Sequence, residues 1–308
     1  MGTDDFTPHR RRLLDVAYRI LGTVTDAEDV VQEAWLRWSA ADRAAVGNPQ
    51  AFLVTVTSRL AIDRLRQVRA RREAYPGPWL PELVSTQPDP QGRAELAESV
   101  ELALLVVLET LSPLERAAFV LHEAFGLAHA EVGDIIGRSE AATRQLTRRA
   151  RDHVREARPR FEADRAERRR LTERFLGACF GGDLAGLVEL LAADVRLVSD
   201  GGGRAKAPLR VIEGADRVGR FLTSISNDDG AQRFLESIGM ATPAEFGVAI
   251  EDVNGVPAIV VRAAGRVILV FSVEPLDGGR IGTVFLVANP EKLAHVSRSG
   301  GDAASASA

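Results

Sequence analysis

Between residues 75 and 84 the chain reads Tyr-Pro-Gly-Pro-Trp-Leu-Pro-Glu-Leu-Val, and this stretch dictates where helices can run. Prolines at 76, 78 and 81 remove backbone donors and fix φ, so neither a helix nor a central strand passes through it. Trp79, Leu80 and Leu83 still carry apolar surface that a solvated tether has no reason to hold. An extended segment with a docking partner elsewhere in the chain is expected, dividing the helical sequence on either side into two modules.

The chain has 308 residues, 45% apolar and 27% charged, a balance that supports more than one ordinary globular core. Its single cysteine, Cys179, excludes an intramolecular disulfide and any cysteine-built zinc site, which fits a reducing, cytoplasmic location. The opening GTDDFTPHRRRLLD places charges where a signal peptide needs an apolar core, and no run of about 18 apolar residues exists to span a bilayer. A soluble protein with no membrane partner is expected. The formal net charge of −4 conceals two basic clusters. Arginines 64, 66, 69, 71 and 72 lie together without an acid, and residues 138–160 carry eight arginines against three acids. Both offer counter-charge to nucleic acid.

Apolar residues at 13, 14, 17, 20 and 21, then 30, 31, 34, 35 and 38, then 52, 53, 56, 60 and 65 follow a helical period and predict three or four helices between about 12 and 74. Thr25 offers an N-cap with Asp26 and Glu28 in the first turn, and Asn48-Pro49 starts the next long helix. After an acidic, proline-dotted stretch from Ser85 to Arg93, helical periodicity resumes at Leu96 and runs to about Arg170, broken at Ser112-Pro113, Gly126 and Gly137. Beyond Leu171 the texture changes. Two helices, near 168–181 and 183–192, precede Val- and Ile-rich runs at 194–199, 246–253, 256–263, 266–275 and 280–288, with Asn254-Gly255, Ala264-Gly265 and Asp277-Gly278-Gly279 as hairpin turns. The expected fold class is multidomain: two all-α modules, then an α+β domain with a curved antiparallel sheet. The small polar residues from 295 to 308 predict a disordered tail.

Residues 129–154 have helix-turn-helix spacing. Val132, Ile135 and Ile136 share one face of a short helix that ends at Gly137, and Ser139 caps a second helix with Ala142, Leu146 and Ala150 inward. Thr143, Arg144, Gln145, Arg148, Arg149 and Arg151 then face outward, a mix that can hydrogen-bond base edges and neutralise phosphates in a major groove. Earlier, on DAEDVVQEAWLRW (residues 26–38), Asp26, Asp29 and Glu33 fall on adjoining helix faces while Val30, Ala34 and Leu36 to Trp38 point elsewhere. An acidic helix is thus followed by a basic one, and later by a helix-turn-helix.

That order resembles the extracytoplasmic-function sigma factors, the initiation subunits of bacterial RNA polymerase. The resemblance implies that residues 1–75 form region 2, 76–95 a linker and 96–160 region 4, with core RNA polymerase and promoter DNA as partners. Core polymerase binding is implied for Asp29, Gln32, Glu33 and Trp35. Recognition of a partly opened −10 element is implied for Asn48, Phe52, Thr55, Ser58, Arg59, Asp63 and Arg66. The −35 duplex falls to Thr143, Arg144, Gln145, Arg148 and Arg149.

Residues 161–294 resemble a SnoaL-like domain, a cone of bent sheet and helices that a recognised group of these sigma factors carries fused at the C-terminus. Three marks of that group are present. They are Trp79-Leu80-Pro81-Glu82-Leu83, with Leu83 in place of a second proline; Asp200-Gly201-Gly202-Gly203-Arg204; and Asn289-Pro290-Glu291-Lys292-Leu293, with Glu291 in place of an aspartate. Trp79, Leu80 and Leu83 are expected to dock near Asp200–Arg204, with Glu82 available to Arg204, so that the C-terminal domain controls the sigma modules in cis.

From Leu171 onward there is no Tyr or Trp, and the one His is His295. Asp194 and Asp200 therefore lack the partner that isomerase chemistry needs, and no catalytic residue is assigned. His122 and His129 are seven apart, not the four that puts two imidazoles on one helical face, so no metal is expected; the glycine loop lacks the ending of a phosphate-binding loop. No cofactor follows. A small-molecule ligand in the C-terminal domain stays open, and the free protein is expected to be monomeric. Two other classes compete: a helix-turn-helix regulator with a ligand-sensing domain, which needs no polymerase-docking helix, and a cyclase or isomerase with a DNA-binding extension.

Overall fold

The computed structural model describes residues 6–86, 100–157, 163–240 and 245–297. They form two compact units, one within Met1–Ala74 and Glu98–Arg158, the other within Tyr75–Ala97 and Pro159–Ala308. The rest of the linker after Thr86, Arg158 and Arg160 of the second basic cluster, and the tail beyond Ser297 lie outside the described residues.

In the first unit, α1 (Arg10–Leu21) stops where Gly22 turns left-handed, at φ 77°, and donates its N–H to Tyr18 O at 2.7 Å. Helix α2 (Val24–Ala40) starts from Thr23 and not Thr25; the Thr23 hydroxyl donates to Asp26 Oδ2 at 2.6 Å. Helix α3 (Pro49–Glu73) begins as the sequence predicts, with Asn48 Oδ1 accepting the Ala51 N–H at 3.1 Å. Leu13, Ala17, Ile20, Val31, Trp38 and Leu53 are buried among these helices. Then come α4 (Leu102–Thr110), α5 (Pro113–Phe119), a π-helical turn (Val120–Ala124), α6 (His129–Ile136) and α7 (Glu140–Ala157). Ser112 and Glu115 cap α5 reciprocally.

The second unit opens with α8 (Arg165–Phe180) and α9 (Leu184–Leu190), followed by β1 (Leu191–Asp200), β2 (Ile212–Glu213), α10 (Ala215–Ser226) and α11 (Asp228–Ser237). Strands β3 (Phe246–Val253), β4 (Val256–Ala263), β5 (Arg266–Leu276) and β6 (Arg280–Val287) then lead into α12 (Pro290–Ser297). Strand order is β2-β1-β6-β5-β4-β3. The sheet is not purely antiparallel: β1 and β6 pair in parallel, because α10, α11 and the β3–β5 meander intervene between them. Asn254-Gly255 and Ala264-Gly265 both take positive φ and close the two-residue hairpins.

Two features depart from the sequence expectation. The segment between Asp200 and Phe246, where no element was expected, carries α10 and α11, whose apolar residues Val218, Leu222 and Leu235 are buried against the sheet. The expected tail from 295 begins too early, since His295 to Ser297 complete α12 and Val296 is buried.

Phe175 meets Phe271 edge-on at 6.3 Å in the core between α8 and the sheet. Cys179 lies in the same core, where burial pushes its thiol up to about 12. The pKa is raised, so the neutral thiol persists through the physiological range, with roughly one group in ten thousand ionised at pH 8. Cys179 should therefore resist maleimide labelling at pH 8 in the native protein and label rapidly once urea unfolds the domain.

Candidate functional site

On α2, alternate burial separates two faces. Val30, Ala34 and Trp38 are buried, while Asp29, Gln32, Glu33 and Trp35 are exposed. Leu36 is exposed beside Trp35. A shallow hollow next to Trp35 is lined by Phe6, Arg10, Glu28, Val31 and Gln32. Asp26 does not join the acidic surface, because Arg64 of α3 pairs with it at 2.7 Å.

On α3, Phe52 stacks obliquely near Trp38 at 5.7 Å, Thr55 returns its hydroxyl to Ala51 O at 2.8 Å, and Asp63 pairs with Arg66 at 2.9 Å on the surface. Two residues expected at DNA are occupied otherwise. Ser58 is fully buried beneath the helix. Arg59 donates to Asp134 O at 2.7 Å and Ile135 O at 3.1 Å, satisfying carbonyls at the C-terminus of α6.

The basic cluster at the end of α3 also proves largely structural. Arg69 donates to Leu111 O at 3.0 Å, and Arg72 donates to Leu21 O at 2.6 Å and pairs with Glu109. Glu109 also pairs with Arg116, which is only 1% exposed and donates to Arg19 O at 3.0 Å. Desolvation lowers the pKa of the Arg72 guanidinium, and Glu109 opposes that shift. Removing Glu109 would strand two buried cations.

In the helix-turn-helix, Gly137 ends α6 at φ 68°. Gly133 is needed for a different reason: a Cβ there would lie 2.6 Å from Arg138 O and 3.2 Å from Thr143 Oγ1. The close approach turns Thr143 inward, fully buried, with its hydroxyl donating to Ser139 O at 3.0 Å. Thr143 thus supports the turn and is corrected out of the DNA-facing set; Thr147 is buried one turn later, while Leu146 is only half-buried. Arg144, Gln145, Arg148 and Arg149 remain exposed. Arg148 is 82% exposed, with Asp152 at 3.8 Å, and Arg149 pairs with Glu115 at 3.2 Å. The rings of His122 and His129 stack at 3.9 Å near this turn, and burial followed by the proximity of His122 holds His129 below the usual imidazole value.

In the second unit, Asp200 sits buried at the end of β1. Its Oδ1 accepts from Tyr75 OH at 2.6 Å and Gly202 N–H at 3.0 Å; its Oδ2 accepts from Leu80 N–H at 2.8 Å and pairs with Lys292. Lys292 Nζ also donates to Leu80 O and lies 4.1 Å from the Trp79 ring centroid and 4.7 Å from that of Tyr75. Burial, and then the bond to Asp200, raise the Tyr75 pKa, so the phenol remains a donor. Asn289 Nδ2 donates to the same hydroxyl at 2.7 Å. A Cβ at Gly202 (φ 62°) would strike Asn289 Nδ2 at 2.4 Å, and one at Gly203 would meet Pro76 Cγ at 3.0 Å, which explains two of the three consecutive glycines.

Leu80 and Leu83 are fully buried. Beyond them, Val84 exchanges hydrogen bonds with Asn254, at 3.0 Å to its side chain and 2.8 Å from its N–H, and Thr86 N–H reaches Asp252 O at 2.9 Å. Glu82 does not meet Arg204. It pairs with His295 at 3.2 Å, while Arg204 pairs with Glu291 at 2.6 Å. The expectation failed because Lys292 on α12, not the glycine loop alone, sets the height at which the linker crosses.

Comparison with known families now bears on these surfaces. Residues 6–72 match the Sigma-70 region 2 model and residues 101–154 the Sigma-70 region 4 model. The chain is 39% identical over 299 residues to the ECF RNA polymerase sigma factor SigJ of Mycobacterium tuberculosis, spanning 95% of this chain and 93% of that one. The protein belongs to the ECF RNA polymerase sigma factors. A probable ECF sigma factor SigI of the same species is 34% identical across 92% of each chain. The crystal structure of M. tuberculosis SigJ covers 94% of this chain and 97% of its own, with a TM-score of 0.74 and 36% identity. Sigma factors bind core RNA polymerase and promoter DNA, and the function is promoter-directed initiation of transcription. Among the described residues no helix is long and apolar enough to cross a membrane.

Several residues that hold this sigma factor in shape leave little trace in sequence pattern. Tyr75, at the edge of a proline-rich stretch, carries the same signal as Trp79: an aromatic side chain that a solvated tether has no reason to hold. Glu109 and Arg116 left no periodic signal, because their role depends on Arg72, distant in the chain. Lys292→Met is expected to destabilise the C-terminal unit by about 3–5 kcal/mol by leaving the Asp200 carboxylate buried without its counter-charge, and Asp200→Leu added to it should recover most of that loss. Urea-dependent hydrogen exchange of the β1 and β6 amides in the full chain measures both.

Proposed function

We propose that the exposed face of α2, through Asp29, Gln32, Glu33 and Trp35, docks on core RNA polymerase, and that Arg144, Gln145, Arg148 and Arg149 of α7 read the −35 duplex. Asn48, Phe52, Thr55, Asp63 and Arg66 present the −10 side of α3, with Ser58 and Thr143 as internal supports. Arg59 becomes available to DNA only when its bonds to the carbonyls of α6 open. The observation that carries this reading is the solvent-facing Arg144-Gln145-Arg148 group on the helix that follows a glycine-marked turn, with Arg148 82% exposed. A guanidinium and an amide so placed can form paired hydrogen bonds with base edges.

The C-terminal domain acts in cis and not as a catalyst. Asp200, a buried carboxylate of this domain, is fully engaged by Tyr75, Leu80 and Lys292, and Asp194 is exposed. The segment Trp79 to Leu83, held by Asp200 and by Asn289-Pro290-Glu291-Lys292-Leu293, is the latch through which that domain governs the linker. The free protein works as a monomer in the cytoplasm, and the domain has a cavity for a small-molecule ligand.

Transcription in vitro with bacterial core polymerase on a promoter library tests these assignments. Arg148→Ala should cost about 1–3 kcal/mol at one −35 base pair and relax preference there, whereas Trp35→Ala should lower core affinity without altering which promoters are chosen. Trp79→Ala with Leu80→Ala should change promoter output at unchanged core affinity; identical transcription would remove the latch from regulation.

A further inference from the structure

The C-terminal unit encloses a cavity of about 230 Å³ between α10, α11 and the sheet. Five of the chain's twelve phenylalanines, Phe180, Phe221, Phe234, Phe246 and Phe271, line it. Phe180 and Phe246 are each 44% exposed at its mouth, although a free aromatic surface is better removed from water. Lys206 and Asp228 also line the cavity, and among the described residues neither side chain makes a hydrogen bond or ion pair. An apolar cavity of roughly 150 Å³ takes up benzene, so this one has room for a fused two-ring skeleton. The ammonium of Lys206 can only donate and the carboxylate of Asp228 can only accept. Both residues are exposed at the cavity, and a hydroxyl on the occupant can answer either one.

One wall of the cavity adjoins a residue that touches the linker. Lys206, Ala207 and Pro208 form that wall. Lys206 N–H donates to Ser237 Oγ at 3.2 Å, tying the loop to α11. Ser199 Oγ donates to Pro208 O at 2.7 Å, one residue before Asp200. The next residue, Leu209, packs on Gly77, where an added Cβ would lie 3.2 Å from Leu209 Cα. At the other end, Gly201 O accepts the N–H groups of Arg204 and Ala205 at 3.0 Å each. A contiguous path of packed backbone therefore runs from the cavity to both the Asp200 network and the linker.

We propose that this cavity binds a small, ring-bearing apolar molecule with one hydroxyl group, and that the 204–209 loop transmits its occupation to the Tyr75–Leu83 latch. The inference rests on the reading of the C-terminal domain as the regulatory part of the protein, and it names the chemistry that domain senses. An occupant holds Lys206 and Pro208 in place, and the loop in turn holds Gly77 and Asp200. Latch opening becomes rarer in the bound state because the two states differ in affinity for the occupant.

The probe is 2-naphthol, added to the full-length protein without polymerase or DNA. Saturable binding is expected by equilibrium dialysis, weaker for naphthalene, and about tenfold weaker for Lys206→Ala, the loss of roughly one hydrogen bond. Ala231→Phe fills the cavity and Phe234→Ser removes an apolar wall, so both should abolish binding while circular dichroism shows a folded protein. At roughly a hundredfold excess over the Kd, openings that require an empty cavity are suppressed about a hundredfold, which hydrogen exchange reads as slower exchange of the Leu80 and Leu83 amides. No saturable binding below about 1 mM, binding indifferent to both cavity variants, or binding that leaves the exchange of residues 78–86 unchanged would each overturn the proposal. Because the assay needs no promoter, such a failure leaves the sigma-factor assignments standing, and a failed transcription assay leaves this result standing.

Discussion

A carboxylate removed from water must find its counter-charge and its donors within reach, and the C-terminal unit is organised around that need at Asp200. Lys292 supplies the charge, Tyr75 and the Leu80 and Gly202 N–H groups supply hydrogen bonds, and two aromatic faces flank the ammonium. The partners come from three distant stretches of chain, so the pair forms only when all three meet. The coupling makes residues 75–86 a folded part of this unit, where a proline-rich tether would otherwise be solvated.

The helical unit solves the same electrostatic problem with different charges. Glu109 lies between Arg72 and Arg116, and Arg59 and Arg69 spend their donors on helix carbonyls. The arginines thus fall into two populations. Those between 59 and 72 mainly hold helices to one another, whereas Arg144, Arg148 and Arg149 on α7 stay in water, where screened ion pairs cost little to exchange for phosphate. Net charge and the clustering of arginines cannot separate these populations. Burial does.

Much of the fold was legible in local pattern. Helical periodicity and the Asn48-Pro49 start located α3, and glycine turns between Val- and Ile-rich runs located β3 to β6, because period and φ preference are properties of neighbouring residues. The exposed faces of α2 and α7 were legible for the same reason. Helices α10 and α11 were missed in a segment dotted with Gly, Asp and Ser, where packing against the sheet outweighs weak propensity. Ser58 and Thr143 were misplaced because helical spacing gives an angle around the axis, not what lies beyond it. The missing Cβ of Gly133 draws the turn close enough to bury Thr143. Glu82 met His295 and not Arg204, since the height of α12 over the linker cannot be derived from either motif.

By itself, the sequence determined that helical modules flank a proline-broken segment, that a helix-turn-helix with a basic face lies between 129 and 154, that Cys179 has no disulfide partner, and that Trp79, Leu80 and Leu83 require a covering surface. These follow from backbone stereochemistry and from the cost of leaving apolar groups in water, both of which act locally. Tertiary structure alone decided which arginines are structural, which carboxylates are buried, how five phenylalanines come to line one cavity, and where the linker is held. Each of those depends on distances between groups far apart in the chain, and desolvation and Coulomb energies change steeply over a few ångströms that no sequence spacing records.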